Sequence, residues 1–106
     1  MKKNVLPIDD SNFESTVLAS DQPFLLELTA PWCGPCKALA PVVEALADEQ
    51  VGVVKVGALD IDSAPATAAR LGVRGAPTIL VFKGGREVAR QVGVVSRARL
   101  LALLQD

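Results

Sequence analysis

Strand-like and helix-like patterns alternate along this chain, and that alternation leaves few architectures open to it. Phe24-Leu25-Leu26-Glu27-Leu28 is almost wholly apolar, as a central strand covered on both faces requires, and Val53 to Leu59 repeats the pattern. Between them Leu39, Val42, Val43 and Leu46 recur at the i, i+3, i+4, i+7 spacing of one helix face, which predicts a helix over 36–50. Pro41 falls inside it, removes the hydrogen bond back to Lys37 and predicts a bend. Upstream, Asn4 to Ile8 reads as a short strand placed near an edge by Pro7. Asp9, Asp10 and Ser11 are capping residues ahead of a short helix carrying Phe13, Val17 and Leu18. Downstream, Ser63 as cap, Pro65 in the first turn and Gly72 past Leu71 bracket an Ala-rich helix. Thr78 to Phe82 and Arg86 to Val92 flank Gly84-Gly85, a pair suited to a tight hairpin, and Ser96 caps a last helix bearing Leu100, Leu101, Leu103 and Leu104. The order is β-α-β-α-β-α-β-β-α. Crossover helices imply parallel pairing early on, and the Gly-Gly turn makes the last two strands antiparallel. The expected class is α/β, a central mixed β-sheet sandwiched by α-helices, in a single domain over 1–106.

Composition removes several functions. The chain has no His, so it has no imidazole base, no Ser-His or Cys-His couple and no His ligand for zinc. A net charge of -1 argues against a nucleic-acid partner held by excess basic residues. Charges interrupt every apolar run well short of the roughly 18 to 20 residues a membrane helix needs, so no membrane association is expected. Lys2 and Lys3 resemble the opening of a signal peptide, but Asp9 and Asp10 arrive before an apolar h-region of about 7 to 15 residues develops, so the expected location is cytoplasmic.

The 2 cysteines lie in one stretch, Trp32-Cys33-Gly34-Pro35-Cys36-Lys37, where a central strand gives way to a helix. Cys33 therefore falls at the helix's positive end, where unpaired amide N–H groups and the macrodipole favour thiolate and lower a free-thiol pKa of about 8.5. Cys36, one turn in, is close enough to pair with it. Three readings compete. A passive staple is disfavoured, because a four-residue loop restricts the unfolded chain by only about 2 kcal/mol. A zinc or iron–sulfur site needs four ligands and would have to be shared across a dimer. A redox pair needs only what is present, so the expectation is a dithiol–disulfide couple with no metal and no bound cofactor.

The same residues, with Ala40-Pro41, Asp60-Ile61-Asp62, Gly72-Val73-Arg74-Gly75-Ala76-Pro77-Thr78, Phe82-Lys83-Gly84-Gly85 and Val92-Gly93, form an ordered set along essentially the whole chain that resembles the thioredoxin family. The resemblance implies the thioredoxin fold and a thiol-disulfide oxidoreductase that reduces protein disulfides. In it Cys33 is an exposed nucleophile and Cys36 a buried resolving thiol, working through a mixed disulfide. It implies disulfide-containing protein substrates and an NADPH-linked flavin-dependent reductase as partners; a monomer is expected. Pro77 should be cis and lie against the cysteines, with Ala76 offering backbone hydrogen bonds to an extended substrate. Trp32, Gly34, Pro35, Ile61, Gly75, Ala76, Val92 and Gly93 match the family's flat apolar docking surface. Glu27 stands where the family typically has a buried Asp beneath the resolving cysteine. A carboxyl buried in the Phe24 to Leu28 run would have a raised pKa and could accept the Cys36 proton. The family's companion Lys corresponds to Ala58, and Thr29 replaces a common aromatic, leaving Trp32 as the only Trp. The alternative is a non-catalytic binding module that keeps the fold and holds a partner on the apolar patch.

Overall fold

The structure is a computed structural model that describes residues 3–105. Met1, Lys2 and Asp106 lie outside it, and with them Lys2 of the basic opening and both ends of the expected domain. Five strands form one mixed sheet: β1 (Val5–Ile8), β2 (Phe24–Thr29), β3 (Lys55–Asp60), β4 (Thr78–Lys83) and β5 (Arg86–Val92), in the order β1-β3-β2-β4-β5. β3 pairs in parallel with both β1 and β2, as crossover connections require, while β4 runs antiparallel to β2 and β5 antiparallel to β4. Gly84 and Gly85, at φ of 60° and 79°, make the hairpin turn.

Side-chain alternation divides the core in two. On one sheet face Leu25, Val56, Ile79 and Val81 pack with Leu39, Val43 and Leu46 of α1 (Gly34–Glu49) and with Leu100 and Leu103 of α3 (Arg97–Gln105). On the other face Phe24, Leu26, Leu28, Leu80 and Phe82 pack with Phe13 and Val17 and with Ala64 and Val73, which flank α2 (Pro65–Arg70). Gly57 is required where β3 passes under this second core. A Cβ there would meet Ile8 Cγ1 at 2.8 Å and the Phe24 ring at 2.9 Å. Gly57→Ala should therefore destabilise the fold by about 1 to 3 kcal/mol, the usual range for overpacking, as read by urea unfolding; unchanged stability would show that Phe24 and Ile8 move aside freely.

Four local expectations are corrected. The segment Phe13–Leu18 is a π-helical turn, with Ala19 N–H donating to Glu14 O at 3.0 Å, rather than a regular helix. α1 begins at Gly34 rather than Cys36, with Cys33 itself as N-cap; Pro41 lies inside it as expected and is exposed, so its backbone defect lies toward water. Val53 belongs to a turn closed by Gln50 O, and β3 starts at Lys55. Ser63 does not cap α2; the N-cap is Ala64, which has no side-chain acceptor, and the work is done from far along the chain by Asp10. Its Oδ1 accepts from Thr67 N at 2.8 Å and Thr67 Oγ1 at 2.7 Å. The Thr67 hydroxyl first, and its amide second, hold the Asp10 carboxyl below the ordinary aspartate range. A carboxyl depressed in the folded state adds stability above its unfolded pKa and loses it as pH falls through the folded value. Asp10→Asn should thus be less stable than wild type at neutral pH, with the gap closing below the ordinary value of 3.8; a gap independent of pH from 7 to 3 would contradict the role given to the charge.

Candidate functional site

Strand β2 ends at Thr29, and Ala30 to Trp32 turn the chain so that Cys33 arrives in extended conformation (φ −92°, ψ 104°) at the start of α1. Cys33 N–H donates to Ala30 O at 3.2 Å, which closes that turn. The first amides of a helix have no partner within it, and the Cys36 N–H donates to Cys33 Sγ at 3.1 Å. The sulfur thus occupies the acceptor position that a Ser or Asp oxygen fills in an ordinary cap, and a thiolate there would gain from both the hydrogen bond and the helix macrodipole. Pro35, in the first turn, gives up no needed donor.

Cys33 and Cys36 are joined by a disulfide with Cα atoms 5.3 Å apart, inside the range such a bond tolerates. The expected exposure of Cys33 is not found: in this disulfide both cysteines are 3% exposed. Packing explains it, because the two sulfurs form a small cluster with Ala30, against which Ile61 and Ala76 also pack. The pair is therefore recessed among these residues rather than protruding from the surface.

The surrounding surface gathers most of the residues expected in it. Trp32 is 63% exposed, and its Nε1 donates to Asp62 Oδ2 at 3.0 Å. Gly34 and Pro35 are exposed on the first turn of α1. The Ala76–Pro77 peptide is cis. Pro77 is buried, Ala76 half-buried and Gly75 exposed. Two hydrogen bonds hold this segment: Thr78 Oγ1 donates to Gly75 O at 2.9 Å, and Gly93 N–H donates to Pro77 O at 2.9 Å. The second brings Gly93 and the exposed Val92, which is paired with Thr78, beside Pro77. Asp62 is the residue that sequence reasoning passed over. It was visible within Asp60-Ile61-Asp62, but nothing in the sequence tells that its carboxylate holds the indole.

Glu27 is 4% exposed, so the strand does cover it. It shares the sheet face of Leu25, Ile79 and Val81, the face on which α1 lies, and its neighbours in register are Ala58 on β3 and Ile79 on β4. Neither neighbour carries a charge. Among the described residues no group of three or more His, Cys, Asp or Glu could hold a metal ion, and no helix is long and apolar enough to cross a membrane.

Residues 4–106 match the family model described as Thioredoxin. A thioredoxin of Haemophilus influenzae is 50% identical over 96 residues, covering 91% of this chain and 90% of that protein. A thioredoxin of Acidithiobacillus ferridurans is 42% identical over 106 residues, covering 100% and 98%. The thioredoxin C-2 of Corynebacterium nephridii is 40% identical over the same length, again covering 100% and 98%.

Proposed function

The chain belongs to the thioredoxin family and is a thiol-disulfide oxidoreductase, and from that premise we propose that Cys33 is the attacking sulfur, Cys36 the resolving one and Glu27 the group that takes the Cys36 proton. The observation that carries the assignment is the hydrogen bond from Cys36 N–H to Cys33 Sγ at the helix N-cap, which Cys36 Sγ does not share. Cys33 thiolate attacks one sulfur of a substrate disulfide; that S–S bond breaks, a Cys33–substrate disulfide forms, and the released substrate sulfur takes up a proton. Cys36, deprotonated, then attacks Cys33 Sγ; the Cys33–substrate bond breaks as the Cys33–Cys36 bond forms, and the second substrate sulfur leaves as a thiolate and takes up a proton. The substrate gains two electrons from the dithiol and two protons, one given up by Cys36 and one from solvent. The redox-active disulfide is the only cofactor this requires.

The family's activity implies disulfide-containing substrates and a reductase that restores the dithiol. We place the docking surface on Trp32, Gly34, Pro35, Ile61, Gly75, Ala76, Val92 and Gly93, with Pro77 against the sulfurs and Ala76 as the backbone partner of an extended substrate segment. The reductase is an NADPH-linked flavoenzyme, the chain works as a cytoplasmic monomer, and residues 1–106 form one domain. A non-catalytic binding module has no support, since such a module would gain nothing from a cysteine pair held at a helix N-cap.

The assignment is tested on the reduced protein with limiting iodoacetamide near neutral pH. Cys33 should be alkylated at least roughly tenfold faster than Cys36, because only its thiolate is stabilised by the helix end. Peptide mapping that finds Cys36 labelled first would reverse the two roles.

A further inference from the structure

Helix α2 leads into Gly72–Pro77, the segment that presses Ala76 against the cysteines, so whatever fixes the end of α2 also fixes that segment. Part of the fastening is local. Leu71 N–H donates to Thr67 O at 3.0 Å, Gly72 N–H to Ala69 O at 3.1 Å, and Val73 N–H to Ala68 O at 2.9 Å, with Gly72 at a φ of 69°. This is the glycine-terminated helix end in which the chain turns back on its own last carbonyls. The carbonyl of Leu71, at the hinge between helix and segment, is met from outside: Arg90 on β5 donates from Nη2 to Leu71 O at 2.6 Å.

Arg90 is itself held. Glu87 accepts from Arg90 Nε on Oε2 and from Arg90 Nη2 on Oε1, both at 2.8 Å. Residues three apart on a regular strand point to opposite faces, so this two-pronged pair could not form without an irregularity. The irregularity is present. Arg90 pairs with Leu80 and Ala89 with Val81, but Glu87 pairs with Phe82, so Val88 is an extra residue in β5. The bulge reverses the alternation and puts Glu87 and Arg90 on the face of Leu80 and Phe82, the face that α2 covers. The Glu87 hydrogen bonds also raise the Arg90 pKa above its ordinary value, so the guanidinium stays charged throughout the working range.

We propose that the Val88 bulge and the Glu87–Arg90 pair serve the reaction: Arg90 is a positioning residue that holds the Gly72–Pro77 segment where an extended protein disulfide docks. The proposal rests on the reading of Ala76 as the substrate's backbone partner. Small disulfides that need no such docking should not sense Arg90 at all.

The test uses dithiothreitol-reduced protein, freed of dithiothreitol, in single-turnover reactions with oxidised insulin and with 5,5′-dithiobis(2-nitrobenzoate). Arg90→Met should raise the half-saturating insulin concentration roughly three- to tenfold, as misplacement of a docking element does, while the limiting rate and the rate with the small disulfide stay within about twofold. Arg90→Lys, which keeps a donor for Leu71 O but not the two-pronged grip of Glu87, should fall between wild type and Arg90→Met. An unchanged half-saturation, or equal slowing with both disulfides, would overturn the positioning role. Insulin reduction that survives Cys33→Ser would overturn the parent reading and this proposal together; loss of reduction in Cys33→Ser with an unaffected Arg90→Met overturns the proposal alone.

Discussion

A Cys36→Ser chain should stop after a single event and keep its substrate, because Cys33 still attacks while nothing remains to expel the second sulfur. Incubated with a cell extract under non-reducing conditions, it should accumulate covalent adducts that dithiothreitol releases, and its insulin turnover should fall to the background of dithiothreitol alone. Cys33→Ser should be equally inactive but should yield almost no adducts. The asymmetry follows from the N-cap: Cys33 Sγ takes the Cys36 amide hydrogen bond at 3.1 Å and stands at the positive end of a helix of 16 residues. Cys36 is in the first turn of the helix and has no such place. Adducts recovered from Cys33→Ser in preference to Cys36→Ser would exchange the roles of the two sulfurs.

Glu27→Leu should make the protein less active. At 4% exposure the carboxyl has been taken out of water inside an apolar strand, between Ala58 and Ile79 in register. Leucine is of similar volume and suits the face shared with Leu25, Ile79 and Val81. Turnover should fall by about ten- to a hundredfold, at or below the lower end of what a positioned base contributes, because only the Cys36 proton needs to move. Alkylation of Cys33 should be nearly unchanged, since its activation comes from the helix end rather than from the carboxylate. A variant with wild-type turnover from pH 6 to 8 would show that Glu27 carries no proton in the reaction.

These two predictions depend on features that the sequence disclosed to different degrees. The sheet, its antiparallel hairpin at Gly84-Gly85 and the helix after the cysteines follow from apolar periodicity and glycine placement, which are local properties. The burial of Glu27 was legible for the same reason: it stands inside the apolar run from Phe24 to Leu28 that marks a covered strand. The features that escaped were contacts between residues distant in sequence. Asp10 bonds Thr67 of α2 from 57 positions away, whereas local pattern points only to Ser63. Arg90 reaches Leu71 only because the sheet brings β5 beside α2 and a bulge turns its side chain, and neither bulge nor register is written in a strand's composition. Cys33 is less exposed than its role suggested because Ile61 and Ala76, from two separate loops, pack on the sulfurs.

Cys33 and Cys36 should form one reversible two-electron couple poised to give electrons to protein disulfides. It is tested most directly by equilibrating the protein in glutathione and dithiothreitol buffers of graded potential. The state of the pair can be read from alkylated mass and from the fluorescence of Trp32, the only Trp, which adjoins Cys33. A single transition between dithiol and disulfide is expected, with a Nernst slope of about 30 mV per decade and a midpoint more reducing than glutathione buffers reach under cytosol-like conditions. A pair that glutathione readily reduces, or one that shows no two-electron transition at all, would contradict it.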